Sequence, residues 1–204
     1  LRGTPFLYNG EEIGMSDYHQ TDIRLFRDPP AVWLYEKEIA SGKSPAEALA
    51  LAAADSRDRC RTPMPWQNAP NGGFSPAGVQ TWLPLHPNYA QGVNVADQRN
   101  DPASLLNFYK NMLRLRRRTP ALIEGTYMAL HETAADYFAF LRQAEAQTCL
   151  VVLNMSERSQ TAQFDLTQPR TRCSFSTVKP ESQMDDLSAF KLAPFEVYIG
   201  ELSA

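Results

Sequence analysis

The stop at Thr119-Pro120 constrains this chain more than any other feature, because it separates a helix-forming stretch from a strand-forming one. Before it, Asp101-Pro102 offers an N-cap followed by proline at the first helical position, where a missing amide donor costs nothing. Leu105, Phe108, Tyr109, Met112 and Leu115 (or Leu113) recur as one apolar stripe. Arg114, Arg116, Arg117 and Arg118 fill the last turn, where cations oppose the negative helix end. The spacing predicts a helix over 101–118, with its arginines a solvated helix end rather than an anion site. After Pro120 come six short β-prone runs: Thr126–Leu130, Tyr137–Leu141, Cys149–Leu153, Thr161–Phe164, Cys173–Thr177 and Phe195–Ile199. Turn-rich pieces separate them, so an antiparallel β-sandwich is expected. The boundary falls near residue 120, giving units 1–120 and 121–204 with no flexible linker between them.

Upstream, Phe6-Leu7-Tyr8 is an apolar run between Pro5 and Gly10, as in a buried parallel strand that is apolar on both faces. Pro29-Pro30 can open a helix. Ser44-Pro45-Ala46-Glu47 has the form of a capping box, and Ala48 to Ala54 follow as helix formers. Residues 56–100 are rich in proline, glycine and asparagine and read as one long ordered loop, a feature that compact domains keep mainly for function.

Composition excludes several roles. With 20 basic and 23 acidic side chains the net charge is −3, which gives no basic field for nucleic acid or an anionic membrane. No apolar run approaches the roughly 20 residues that span a bilayer. Cys60, Cys149 and Cys173 are odd in number and lack zinc spacing, so neither a disulfide framework nor a metal site is expected, and a cytoplasmic location fits. No acidic cluster has calcium-loop spacing, and no phosphate-binding glycine loop occurs. His19, His86 and His131 are scattered and receive no catalytic role. No cofactor is expected.

The densest chemistry lies in Arg57-Asp58-Arg59-Cys60-Arg61-Thr62-Pro63-Met64-Pro65-Trp66. Two prolines rule out an ordinary helix or central strand. A rigid loop presenting guanidinium forks beside an indole suits a polar ligand with an apolar face, such as a sugar. The alternative is a structural Arg-Asp knot that pins the loop to its own domain.

This stretch resembles the R-D-x-x-R-T-P-M-x-W signature of α-glucosidases and oligo-1,6-glucosidases in the α-amylase superfamily of glycoside hydrolases. The run from Leu1 to Met15 resembles the last barrel strand of that family. Asn71-Gly72-Gly73-Phe74-Ser75 matches its N-x-G-F-[ST] turn, and Trp82 to Tyr89 its W-x-x-x-x-P-N-Y segment. Asn94-Val95 and the helix from Asp101 continue in the same order. The resemblance implies an α+β chain: the C-terminal piece of a (β/α)8 barrel (last strand, long loop, last helix), followed by an antiparallel β-sandwich domain. It also implies that the nucleophile, the acid/base and the stabilising carboxylate precede this segment, so the chain is expected to be the C-terminal part of a longer enzyme and to lack catalytic carboxylates.

Arg57 and Arg61 match the two arginines that the family places against the sugar beyond the cleaved bond, and they are the expected substrate-binding residues. Asp58 is expected to orient an arginine, and Trp66 to anchor the loop rather than stack on sugar. Glu11 and Glu12 are neighbours that an extended chain would point to opposite faces, so they cannot flank one bond; a structural role is expected for Glu11, with pocket support as the alternative. Two departures bear on linkage preference: Pro65 stands where the family usually has Gln, and Arg27-Asp28-Pro29-Pro30 where R-D-I-E is common. The expected function is part of a retaining hydrolase of short α-glucosides, with an oligosaccharide as substrate of the full enzyme. A transglycosylase or isomerase on the same frame, such as trehalose synthase or sucrose isomerase, stays open. So does a non-catalytic carbohydrate-binding module in 121–204. The isolated chain would expose apolar faces, so self-association is expected.

Overall fold

The computed structural model describes residues 2–203, and they divide into two compact units. Phe6–Asn111 forms one, and residues 2–5 with 112–203 form the other. The two units meet between Asn111 and Met112.

In the first unit, α1 (Pro29–Ala40) and α2 (Pro45–Asp55) pair. The capping box at α2 forms as its spacing predicts: the Glu47 amide donates to Ser44 Oγ at 3.3 Å, and the Ser44 amide donates to the Glu47 carboxylate at 2.9 Å. Ala31, Ala52 and Ala53 are buried with Phe26, small residues that let the two helices close on each other. Residues 56–104 contain short 3-10 turns and the single-turn α3 (Val95–Arg99). Side chains supply the order that ladders would otherwise give. Buried Asn94 caps α3, accepting the Asp97 amide at 2.9 Å and donating to the Tyr89 carbonyl. Gln98 donates to the Ile13 and Gly92 carbonyls and accepts the Leu106 amide, tying three segments together. Ile13, Met64, Val95 and Leu106 form the small core beneath.

The helix α4 (Leu105–Arg118) starts later than the sequence suggests. Asp101 spends its carboxylate on the Ala103 amide in a turn, and Ser104 Oγ accepts the Asn107 amide instead. Phe6-Leu7-Tyr8 also departs from expectation. It forms no strand, and Phe6 is 93% exposed. A parallel strand needs neighbours running the same way, and every ladder among the described residues is antiparallel.

In the second unit, α4 ends and Pro120 opens a further turn, α5 (Pro120–Ile123). Then come β1 (Thr126–Leu130), β2 (Tyr137–Ala144), β3 (Gln147–Asn154), β4 (Gln160–Ala162), β5 (Arg170–Ser176), β6 (Met184–Asp186), β7 (Phe190–Leu192) and β8 (Val197–Ser203). Six form one sheet in the order β1-β2-β3-β8-β5-β6, and β4-β7 form a second. Cys149-Leu150-Val151-Val152-Leu153 is a continuous apolar run because both faces of β3 are covered. Leu150 and Val152 meet Phe164, Leu187, Phe190 and Leu192, which is the sandwich core. Cys149 and Val151 face Ala121, Leu122, Met112 and Leu115 on the other side. Arg142, 1% exposed, donates to the carbonyls of Leu122, Ile123 and Gly125, satisfying the end of α5. All three cysteines are free, and Cys149 and Cys173 are buried. No described helix is long and apolar enough to cross a membrane.

Candidate functional site

The site is built on the 3-10 turn Arg57–Cys60, which Ser56 starts by accepting the Asp58 amide at 3.1 Å. Arg61 caps the turn, its amide donating to the Asp58 carbonyl. Pro63 and Pro65 then hold the exit extended. Gly72 closes the loop: its carbonyl accepts the Trp66 and Gln67 amides at 2.7 and 3.0 Å. That approach requires glycine, because at φ 58° an added Cβ would stand 3.1 Å from the Pro65 Cα.

The three arginines of the motif part ways. Arg59 serves structure, paired with Asp17 at 3.1 Å and donating to the Ala54 carbonyl at 2.6 Å. Arg57 and Arg61, the two expected ligands of sugar, flank the turn with exposed side chains. Among the described residues neither forms an ion pair with a carboxylate, and the Arg61 guanidinium lies against the Tyr8 hydroxyl. The Arg61 carbonyl accepts the Trp82 indole N–H at 2.9 Å, and Trp82 meets Phe74 edge-on at 5.0 Å.

Asp58, expected to orient an arginine, meets arginine backbone rather than a guanidinium: its carbonyl accepts the Arg61 amide. It is 3% exposed and its Oδ2 accepts the amides of Arg27 at 2.6 Å and Asp28 at 2.9 Å. Trp66 remains half-exposed, with its backbone, not its indole, carrying the anchoring bonds to Gly72 and Ala96.

Beside the turn lies a cavity of about 220 Å³ lined by Tyr8, Asn9, Glu11, Met15, Ser16, Asp17, Cys60 and Thr62. The Tyr8 hydroxyl donates to the Cys60 carbonyl at 3.2 Å. Burial and the Cys60 thiol push its pKa up, while the nearby Arg61 guanidinium pulls it down. No local pattern signals the contact between Tyr8 and Cys60, which lie 52 positions apart.

Glu11 and Glu12 lie in a 3-10 turn, not an extended strand end. Glu11 accepts the Tyr109 hydroxyl at 2.7 Å and the Tyr8 amide at 3.1 Å, and these bonds lower its pKa. Glu12 accepts the Gly10 amide at 2.9 Å. A glycosidic acid needs a raised pKa and a facing carboxylate roughly 5–5.5 Å away in a retaining enzyme. Glu11 is shifted the other way, and both carboxylates serve the turn. Among the described residues no three metal-binding side chains converge.

The model of the alpha-amylase catalytic domain matches residues 1–125. The chain belongs to the α-amylase family of glycoside hydrolases. It is 32% identical over 207 residues to an oligo-1,6-glucosidase of Halalkalibacterium halodurans, covering 98% of this chain and 36% of that relative. It is 36% identical over 160 residues to the trehalose-6-phosphate hydrolase of Escherichia coli, covering 78% of this chain and 28% of that protein. The crystal structure of trehalulose synthase from Pseudomonas mesoacidophila superposes with a TM-score of 0.81 at 30% identity, covering 99% of this chain and 36% of that one. The chain thus spans about a third of the length of the curated relatives it matches.

Proposed function

We propose that this chain is the C-terminal portion of a retaining α-glucosidase-type hydrolase of short α-glucosides, and that Arg57 and Arg61 bind the sugar on the acceptor side of the cleaved bond. The observation that carries this reading is the pair of exposed arginines, without a carboxylate partner among the described residues, on a turn whose backbone is held by Ser56, Asp28 and the Trp82 indole. The nucleophile and acid/base lie elsewhere in the enzyme. The Glu11 carboxylate is taken up by the Tyr109 hydroxyl and the Tyr8 amide, which lower its pKa, the direction opposite to that of a general acid. Free cysteines fit a cytoplasmic location, and exposed Phe6, Leu7 and Tyr8 support self-association of the isolated chain.

An isomerase or transglycosylase on this frame differs only in which hydroxyl attacks the intermediate. The relatives include proteins named for both kinds of reaction, and product analysis of the enzyme on sucrose and maltose separates them. A carbohydrate-binding role for the β unit finds less support, because all three tryptophans lie before residue 83. The test of the main reading is kinetic. In the enzyme containing this chain, Arg57→Ala and Arg61→Ala should each cut kcat/KM on a disaccharide by about tenfold or more, the loss of one charged hydrogen bond. An aryl α-glucoside, which offers no acceptor-side sugar, should change little. Equal losses on both substrates would refute the assignment.

A further inference from the structure

Asp28 and Asp58 exchange backbone amides across two loops. Asp58 Oδ2 takes the amides of Arg27 and Asp28, and Asp28 Oδ2 takes the amide of Arg57 at 2.8 Å. Both are buried. Asp58 is further bound through its own amide to Ser56 and through its carbonyl to the Arg61 amide. The peptide units of both Arg57 and Arg61 are therefore fixed by this pair.

The sequence explains why Asp28 is available. It stands at the N-cap of α1, where an aspartate ordinarily accepts the amide of the second or third helical residue. Pro30 occupies the second position and has no N–H. The third amide, that of Ala31, donates to the Asp28 carbonyl at 3.1 Å. No capping bond to the Asp28 side chain forms, and its carboxylate reaches the Arg57 amide instead. We propose that Asp28 and Asp58 are positioning residues that aim Arg57 and Arg61 at the acceptor-side sugar, and that Pro30 commits Asp28 to this task by withholding the second-position amide it would otherwise cap. This rests on the reading of Arg57 and Arg61 given above. The carboxylates touch no substrate. They set the angle of the turn, and a displacement of about 1 Å can cost on the order of 100-fold in rate.

The test uses the enzyme containing this chain, with Asp58→Ala, Asp58→Asn and the double variant Pro29→Ile, Pro30→Glu. Asparagine keeps an acceptor oxygen, and the double variant removes no buried group while returning the second-position amide that competes for Asp28. Amide hydrogen exchange at Arg27, Asp28 and Arg57 is read with kcat/KM on a disaccharide and on an aryl α-glucoside. In Asp58→Ala, exchange at Arg27 and Asp28 should speed up at least about tenfold, and disaccharide kcat/KM should fall by about 30-fold or more against less than about threefold for the aryl substrate. Asp58→Asn should restore most of both. The double variant should speed exchange at Arg57 and lower the disaccharide value by about tenfold. Unchanged exchange at these amides overturns the clamp. Equal losses on the two substrates overturn its role toward sugar. If the unaltered enzyme cleaves neither substrate, the glycosidase reading falls with the sugar-positioning role, while the exchange data still decide whether the clamp exists.

Discussion

Arg142→Met isolates what a buried guanidinium contributes to the β unit. Arg142 donates through Nη2 to Gly125 at 2.8 Å and to Ile123 at 3.4 Å, through Nε to Gly125 at 3.2 Å, and through Nη1 to Leu122 at 3.1 Å. Methionine keeps much of the side-chain volume and removes every donor. The Leu122 carbonyl retains Arg116, so two carbonyls, those of Ile123 and Gly125, lose their only Arg donor at the end of α5. Ile123 is exposed, so its carbonyl can turn to water and only the Gly125 carbonyl is left buried; at about 1–3 kcal/mol per buried unsatisfied group the expected loss is about 2 kcal/mol. Relief of the desolvated charge, which already lowers the Arg142 pKa, offsets part of it. Hydrogen exchange of the β2–β3 amides reads the local stability, and about 2 kcal/mol corresponds to roughly 30-fold faster exchange. A change under about threefold would mean that the end of α5 does not depend on Arg142, and the reasoning would fail.

Other outcomes follow from the same contacts. Gly72→Ala should destabilise the first unit by more than about 1 kcal/mol in thermal melts, whereas Gly78→Ala, with open space and no positive φ, should be neutral or stabilising. Burial pushes the Cys149 thiol up to about 12 from 9.0. Its folded pKa is thus raised, so its contribution is intact below pH 9 and is lost between about pH 9 and 12, at about 1.4 kcal/mol per pH unit. Urea midpoints across that range should fall less steeply for Cys149→Ala than for the unaltered protein. A thiol reagent at neutral pH should label exposed Cys60 in the native chain and reach Cys149 and Cys173 only after unfolding; native labelling of all three would contradict the packing.

The features legible in the sequence are those set by neighbours in the chain. Ser44 and Glu47 announce their capping box because both partners lie within one turn. Cys149–Leu153 reads as a strand from its own residues, and its lack of alternation signals cover on both faces. The short strands β6 and β7 escaped notice. Met184-Asp185-Asp186 has no β-propensity, and Phe190-Lys191-Leu192 is too short to show a period, so pairing alone makes them strands. Phe6-Leu7-Tyr8 misled for the opposite reason: its apolar character is that of a strand, but no parallel neighbour is present among the described residues to complete one. At the site, Arg57 and Arg61 could be named from the motif. The exchange between Asp28 and Asp58 could not, because amide acceptors carry no signature over that separation.

The central claim is that this chain carries a wall of a sugar site without the groups that break the bond. Its most direct test is the rate at which the purified 204-residue chain releases the chromophore from an aryl α-glucoside. The account predicts no rate above a blank, with Glu11→Gln indistinguishable from the unaltered chain. Turnover that vanishes in Glu11→Gln would contradict it.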